Sequence, residues 1–333
     1  MADSSTPLKD GRPASAPSPA LSPKNIGAPR RRSVRQKGVK GFLDHHWVAI
    51  FLIPGMLWMG GLLAYPILMN IWQSLTNKNL QFADSKFVGG SNYLWVLQDA
   101  TFWQAGMHSI VWTVVSVTGQ LLIGLAGALA LERVSQGRWL YRLLLILPWT
   151  FSSVVMAAVW RLMLDALYGI MNGYLTWANI IDQPLSWFGD ARTALGSAIV
   201  VNIWFGVPFM LLSLVAGLQT ISKDLYEAAS VDGAGYWRQV WNITIPGLAP
   251  IISTLVVLRT IWVVNNFDIV FLTTGGGPSN ASMTLPVYAY NVGWAQFEVG
   301  KMAAISVILT VVLLILALVY FKVVDDKVSH AED

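Results

Sequence analysis

Six long apolar stretches divide this chain, at about residues 47–75, 107–131, 141–164, 193–218, 248–273 and 302–321. A helix needs roughly 20 mostly apolar residues to cross about 30 Å of hydrocarbon, so each stretch has the length of one crossing. With 55% of its 333 residues hydrophobic and 12% charged, the chain is too apolar for an ordinary soluble domain. The fold class this predicts is all-α: a polytopic membrane protein with six transmembrane helices within residues 41–325, preceded by a tail of residues 1–40 and followed by a short tail, 326–333. The first stretch is long enough to tilt or project beyond the bilayer, and Pro54 and Pro66 give it two places to kink.

Orientation follows from Lys and Arg, which accumulate in cytoplasmic loops. With the N-terminus inside, the cytoplasmic side collects Arg30, Arg31, Arg32, Arg35, Lys37 and Lys40, then Arg133, Arg138 and Arg142, then Lys223 and Arg238, then Lys322 and Lys327. The opposite side receives Lys78, Lys86, Arg192 and Lys301. Both termini are therefore expected in the cytoplasm. The head is rich in Pro, Ser and Ala, a composition that cannot bury a core and predicts disorder. Its basic cluster lies beside the first span, so anionic membrane lipids are a simpler partner for it than nucleic acid. The first apolar run is a full-length span without a small-residue cleavage site close behind it, unlike a secretory leader.

Several chemistries lack their residues. The chain has no cysteine, which removes disulfides and thiolates, and its histidines (His45, His46, His108, His330) show no paired metal spacing. No Gly-x4-Gly-Lys-Ser/Thr loop is present, so no cofactor is expected in this chain; if ATP and Mg²⁺ drive its work, they act in a separate subunit. A secondary transporter would want intramembrane carboxylates, and a membrane-embedded glycan- or lipid-modifying enzyme a cluster of acids, bases or metal ligands at one interface. Neither pattern is visible in the sequence.

One polar island stands between the fourth and fifth stretches, in the loop at about 222–250. It reads Glu227-Ala228-Ala229, three residues ending at Asp232, Gly233, nine residues, Ile243, Thr244, then Ile245-Pro246. This resembles the EAA loop of importer permeases of the ATP-binding-cassette (ABC) class, with Ile245 where the pattern has Leu. Ala228 and Ala229 let another surface come close, Gly233 permits a sharp turn, and Pro246 and Pro250 mark entry into the next span. The resemblance implies that Glu227, Ala228, Ala229, Asp232 and Gly233 couple the chain to an ATPase. Leu272 to Pro278, with its triple glycine, is similar to the Leu-Thr-x-Gly-Gly-Pro segment of the maltose-transporter type of permease.

From about residue 47 to 321 the chain resembles that maltose-transporter type. The resemblance implies a type I ABC importer permease fold in a bacterial inner membrane. It also implies a second related permease, two ATPase subunits, an extracytoplasmic solute-binding protein, a sugar-like substrate and transport by alternating access. Three stretches carry the implied substrate-binding residues: Trp149 and Ser153; Asn202, Phe205, Gly206 and Phe209; and Arg259, Trp262, Val263 and Asn266. Helical spacing puts the second set on one face and the third on one stripe. Flat rings suit pyranose faces and amides suit their rims, although such stripes are also ordinary glue between membrane helices. Arg259 near mid-span costs on the order of 2.5–3.5 kcal/mol on the lenient insertion scale, so it calls for a wet or anionic neighbour, such as an anionic cargo group or a carboxylate on the partner permease. Asp268, nine residues along one helix, would sit on nearly the opposite face.

Overall fold

A computed structural model describes residues 39–133 and 137–329. The tail of residues 1–38, with most of the basic cluster, and the last four residues lie outside this description. The chain divides into two units, 1–59 and 60–333. In the first, the described residues are helical and begin α1 (Val39–Ser74), and their side chains are exposed from Leu52 onward.

The second unit completes α1 and continues through α2 (Ser91–Gln98), α3 (Ala100–Arg133), α4 (Arg138–Thr150), α5 (Ser153–Met163), α6 (Ile170–Trp177) and α7 (Ala194–Leu218). There follow α8 (Lys223–Val231), α9 (Tyr236–Gln239), a π turn (Val240–Thr244), α10 (Ile245–Val264) and α11 (Asp268–Thr273). The unit ends with α12 (Leu285–Tyr290), a second π turn (Asn291–Ala295) and α13 (Val299–Ser329). Among the described residues the only extended pairing is a bridge between Thr76 and Phe87.

The core is built on α3 and α7, which form the most extensive helix pair among the described residues. Their contact works because three glycines of α3 carry no side chain. A Cβ on Gly119 would stand 2.6 Å from Ile203, one on Gly124 2.8 Å from Met210, and one on Gly127 2.6 Å from Leu211. Small residues are what allow helices to approach closely where lipid supplies no hydrophobic drive. The order of these contacts also shows that α3 and α7 run parallel. The chain leaves α3 at one end of the core and enters α7 at the other, so it must cross once between them.

That crossing is the bent pair α4–α5, which turns by 96° between Thr150 and Ser153. Among the described residues, five single helices have the length and apolarity of spans: Leu52–Ser74, Ala100–Arg133, Ala194–Leu218, Tyr236–Val264 and Val299–Tyr320. With the bent pair counted as one crossing, six spans result, as expected. Both boundaries of the fifth span differ from expectation. The fifth span starts at Tyr236, because the π turn carries the helix continuously into Ile245, with Pro246 in the first turn of α10. It also stops at Val264, short of Thr273, since Asn265 to Phe267 break the helix before α11.

Candidate functional site

The two helix breaks lie against one another, α5 packing directly on α11. On one side of them three rings from three helices form a row: Trp149 lies 5.6 Å from Phe209 between centroids, and Phe209 lies 5.1 Å from Trp262. Trp149 is 42% and Trp262 44% exposed, so the row presents open ring surface. On the other side the Ser153 hydroxyl donates to a carboxylate oxygen of Asp268 at 2.5 Å, joining the first residues of α5 and α11. Trp149 and Ser153 are thus not one turn apart on one helix, because the bend intervenes.

Behind the rings lies a buried polar cluster. Arg259 is 5% exposed, and its Nε donates to Gln120 Oε1 at 2.8 Å; Gln120 Nε2 in turn donates to the backbone oxygen of Asn202 at 2.9 Å. The guanidinium carbon stands 5.7 Å from the ring centroids of both Phe209 and Trp262, within range of a cation–π attraction. Gly206 makes the space for this pair. A Cβ there would lie 2.2 Å from Gln120 Cδ and 2.3 Å from an Arg259 terminal nitrogen. Within this chain the hydrogen-bond partner of Arg259 is a neutral amide on α3. Asp268 serves neither as its partner nor as a residue of the same helix, since the break separates them.

The other expected residues divide. Asn202 is 1% exposed, and neither atom of its amide has a hydrogen-bond partner within the described residues; Thr113 and Ser116 of α3 are likewise buried with unpartnered hydroxyls. An unpaired buried polar group costs about 1–3 kcal/mol. Phe205 is half-buried against the core, and Val263 is 1% exposed, its carbonyl accepting from Trp112 Nε1 at 2.9 Å. Asn266 does not continue the stripe of Arg259, Trp262 and Val263. It lies beyond the end of α10, where its Oδ1 accepts from the Ile269 amide and starts α11. Gln120 was missed from sequence. The signal available was its own mid-span amide, which needs a partner as much as Arg259 does.

Several charged residues near the ends of the spans have local partners. Asp190 pairs with Arg192 at 2.9 Å and Glu298 with Lys301 at 3.4 Å. Asp165 accepts from the backbone amides of Tyr168 and Leu167, which hold its carboxyl below the usual carboxylate range. Arg161 donates to the Leu272 carbonyl at 3.4 Å. The glycine-rich loop is an ordered turn: the hydroxyl of Ser282, fully buried, donates to the Gly277 carbonyl at 2.6 Å and lies 2.7 Å from Thr274 Oγ1.

At the end of the core where α3 and α7 finish, the polar island forms a compact helix and turn. Ser222 caps α8, its hydroxyl accepting from the Asp224 amide at 3.3 Å. The far end closes in a Schellman motif: Ala234 N–H reaches Ala229 O at 2.8 Å and Gly233 N–H reaches Ser230 O at 3.1 Å. Gly233 has φ +76°, the left-handed conformation this motif demands. No residue of α8 is buried, and Leu225 (54%), Val231 (88%) and Trp237 (68%) expose apolar surface. Glu227, Ala228, Asp232 and Gly233 are all exposed and Ala229 is half-buried.

Residues 120–330 match the family model described as "binding-protein-dependent transport system inner membrane component". The trehalose/maltose transport system permease protein MalF of Thermococcus litoralis is 34% identical over 258 residues, covering 78% of this chain and 86% of that one. The sulfoquinovosyl glycerol transport system permease protein SmoG of Agrobacterium fabrum is 29% identical over 285 residues, covering 85% and 92%. Among solved structures, a bacterial alginate ABC transporter in complex with an alginate pentasaccharide-bound periplasmic protein aligns with TM-score 0.74 and 22% identity, over 85% of this chain and 95% of that one. The fold is that of an ABC importer permease, and the chain belongs to the family of binding-protein-dependent transport system inner membrane components.

Proposed function

We propose that this chain is the permease subunit of an ATP-driven importer and forms half of the passage for a sugar or sugar derivative. The observation that carries the cargo class is the row of Trp149, Phe209 and Trp262, three rings on separate helices, the two tryptophans with much of their surface open. Ring faces suit the apolar faces of a pyranose. The unpartnered amide of Asn202 and the hydroxyls of Thr113 and Ser116 would find partners in a hydroxyl-rich molecule or its water. A second, related permease would supply the other half. An extracytoplasmic binding protein would deliver cargo, and two ATPase subunits would seat α8. Copurification of the intact complex, with subunits and bound ligand identified by mass spectrometry, tests this reading. A chain that purifies alone and takes up sugar without ATP would refute it.

The orientation we propose places α8 and both termini in the cytoplasm. Arg133, Lys223 and Arg238 lie at the end of the core that carries α8, as the positive-inside rule requires. Single cysteines should therefore be labelled from outside at Ser279 and only after permeabilisation at Ser222. The reverse pattern would invert the topology.

Arg259 favours a cargo with negative charge. Neither ion pair found among the described residues involves it, and a neutral amide with two ring faces leaves its charge uncompensated in a low-dielectric setting. The names of relatives do not choose for it, since one is named for trehalose and maltose and another for sulfoquinovosyl glycerol. Uptake of an acidic sugar should exceed that of its neutral counterpart by about tenfold, the worth of one charge-assisted hydrogen bond. Arg259→Ser should remove that preference. If the substitution weakens uptake of both equally, Arg259 is structural.

A further inference from the structure

Because α8 buries no residue, any displacement it receives must leave through few contacts. Two side-chain ties connect it to the start of the fifth span. The Tyr226 hydroxyl lies 3.0 Å from the Thr244 hydroxyl, and Ser230 Oγ accepts from Gln239 Nε2 at 2.9 Å. Both ties land on the π turn Val240–Thr244 or the residue just before it. The two ends of that turn are anchored in the core, with Val240 4% and Thr244 2% exposed, while Trp241 between them is 65% exposed.

The surroundings suit a moving part. Tyr226 borders a cavity of about 460 Å³ at the ends of α3 and α7, lined also by Ala128, Leu131, Val215 and Leu218, so the space beside α8 is not filled by either helix. In the π turn the Ile245 amide reaches back to Val240 O, one residue further than in an α-helix. Such turns carry an extra residue and recur at functional sites. Directly beyond it runs α10, which bears Arg259, Trp262 and Val263. The cation–π contact of Arg133 with Tyr236, 3.4 Å from the ring centroid, braces α9 against α3 but holds no side chain of α8.

We propose that the Tyr226–Thr244 hydroxyl pair is the contact through which α8 drives α10, making both positioning residues for transport. This rests on α8 being the ATPase seat. The test uses the full reconstituted complex and counts cargo moved per ATP hydrolysed in Tyr226→Phe, Thr244→Val, the double variant and Thr244→Ser. The first two keep the side-chain shape and lose one hydroxyl each. Both should assemble in normal yield on size exclusion and move about fivefold less cargo per ATP, as loss of one net hydrogen bond gives. The double variant should fall no lower than either single one, and Thr244→Ser should stay near the parent. Unchanged cargo per ATP in the single variants, or losses that multiply in the double, would overturn the proposal. If Thr244→Val does not assemble, Tyr226→Phe on the exposed helix decides alone. A parent complex that hydrolyses ATP without moving cargo would remove the underlying reading, and this proposal with it.

Discussion

Gly206→Ala should cost at least tenfold in transport and lower the thermal midpoint of the purified subunit. The new methyl would lie 2.2 Å from Gln120 Cδ and 2.3 Å from an Arg259 nitrogen, distances that real atoms do not tolerate. Both are ends of side chains that could ordinarily swing aside. Here Gln120 is fully buried, Arg259 is 5% exposed, and each is the other's hydrogen-bond partner. Overpacking of this kind costs about 1–3 kcal/mol, and separating the pair would leave a buried charge with no polar contact. The sharper measurement is non-additivity. In an Arg259→Ser background Gln120 gains room to retreat, so Gly206→Ala should cost little more than Arg259→Ser alone. Equal costs in both backgrounds would mean that the Arg259–Gln120 pair is not what Gly206 accommodates.

The spans and the polar island were legible because each is a one-dimensional pattern: apolar length, positive-charge asymmetry, and small residues at fixed intervals ending in a left-handed glycine. What was hidden depends on where helices stop. Nothing in the apolar run of residues 141–164 announces a 96° bend after Thr150, since Pro148 lies within α4 and the turn falls beyond it. Likewise Asn266 reads as a continuation of the stripe holding Trp262, whereas Asn265 ends α10 and the Asn266 side chain accepts from the Ile269 amide in the first turn of α11. The partner of Arg259 was hidden for a different reason. Gln120 is 139 residues away in sequence, and only the parallel packing of α3 and α7 brings its amide beneath Gly206. Thr113, Ser116 and Gln120, at i, i+3 and i+7, form a polar stripe on the second span that periodicity could have revealed.

Gly233→Asp should abolish cargo-stimulated ATP hydrolysis in the reconstituted complex while leaving insertion and folding of this chain intact. Nothing lies within 4 Å of the position a Cβ would take, so the substitution makes no clash within the subunit. Its internal cost is that of a non-glycine residue at φ +76°, about 1 kcal/mol, and Asp is among the residues that bear it best. The Schellman bonds from Gly233 and Ala234 to Ser230 and Ala229 are backbone only and survive the change. The large effect must therefore arise outside the chain, where a carboxylate is introduced on the turn beside exposed Val231 and Trp237, the surface that would meet an ATPase groove. Desolvating that charge without a partner is costly, and α8 would no longer seat. Membrane yield and size-exclusion profile should match the parent, separating loss of docking from loss of fold. Normal stimulation in this variant would mean that the turn at Gly233 is not part of the docking surface, and the assignment of α8 as the coupling helix would fall with it.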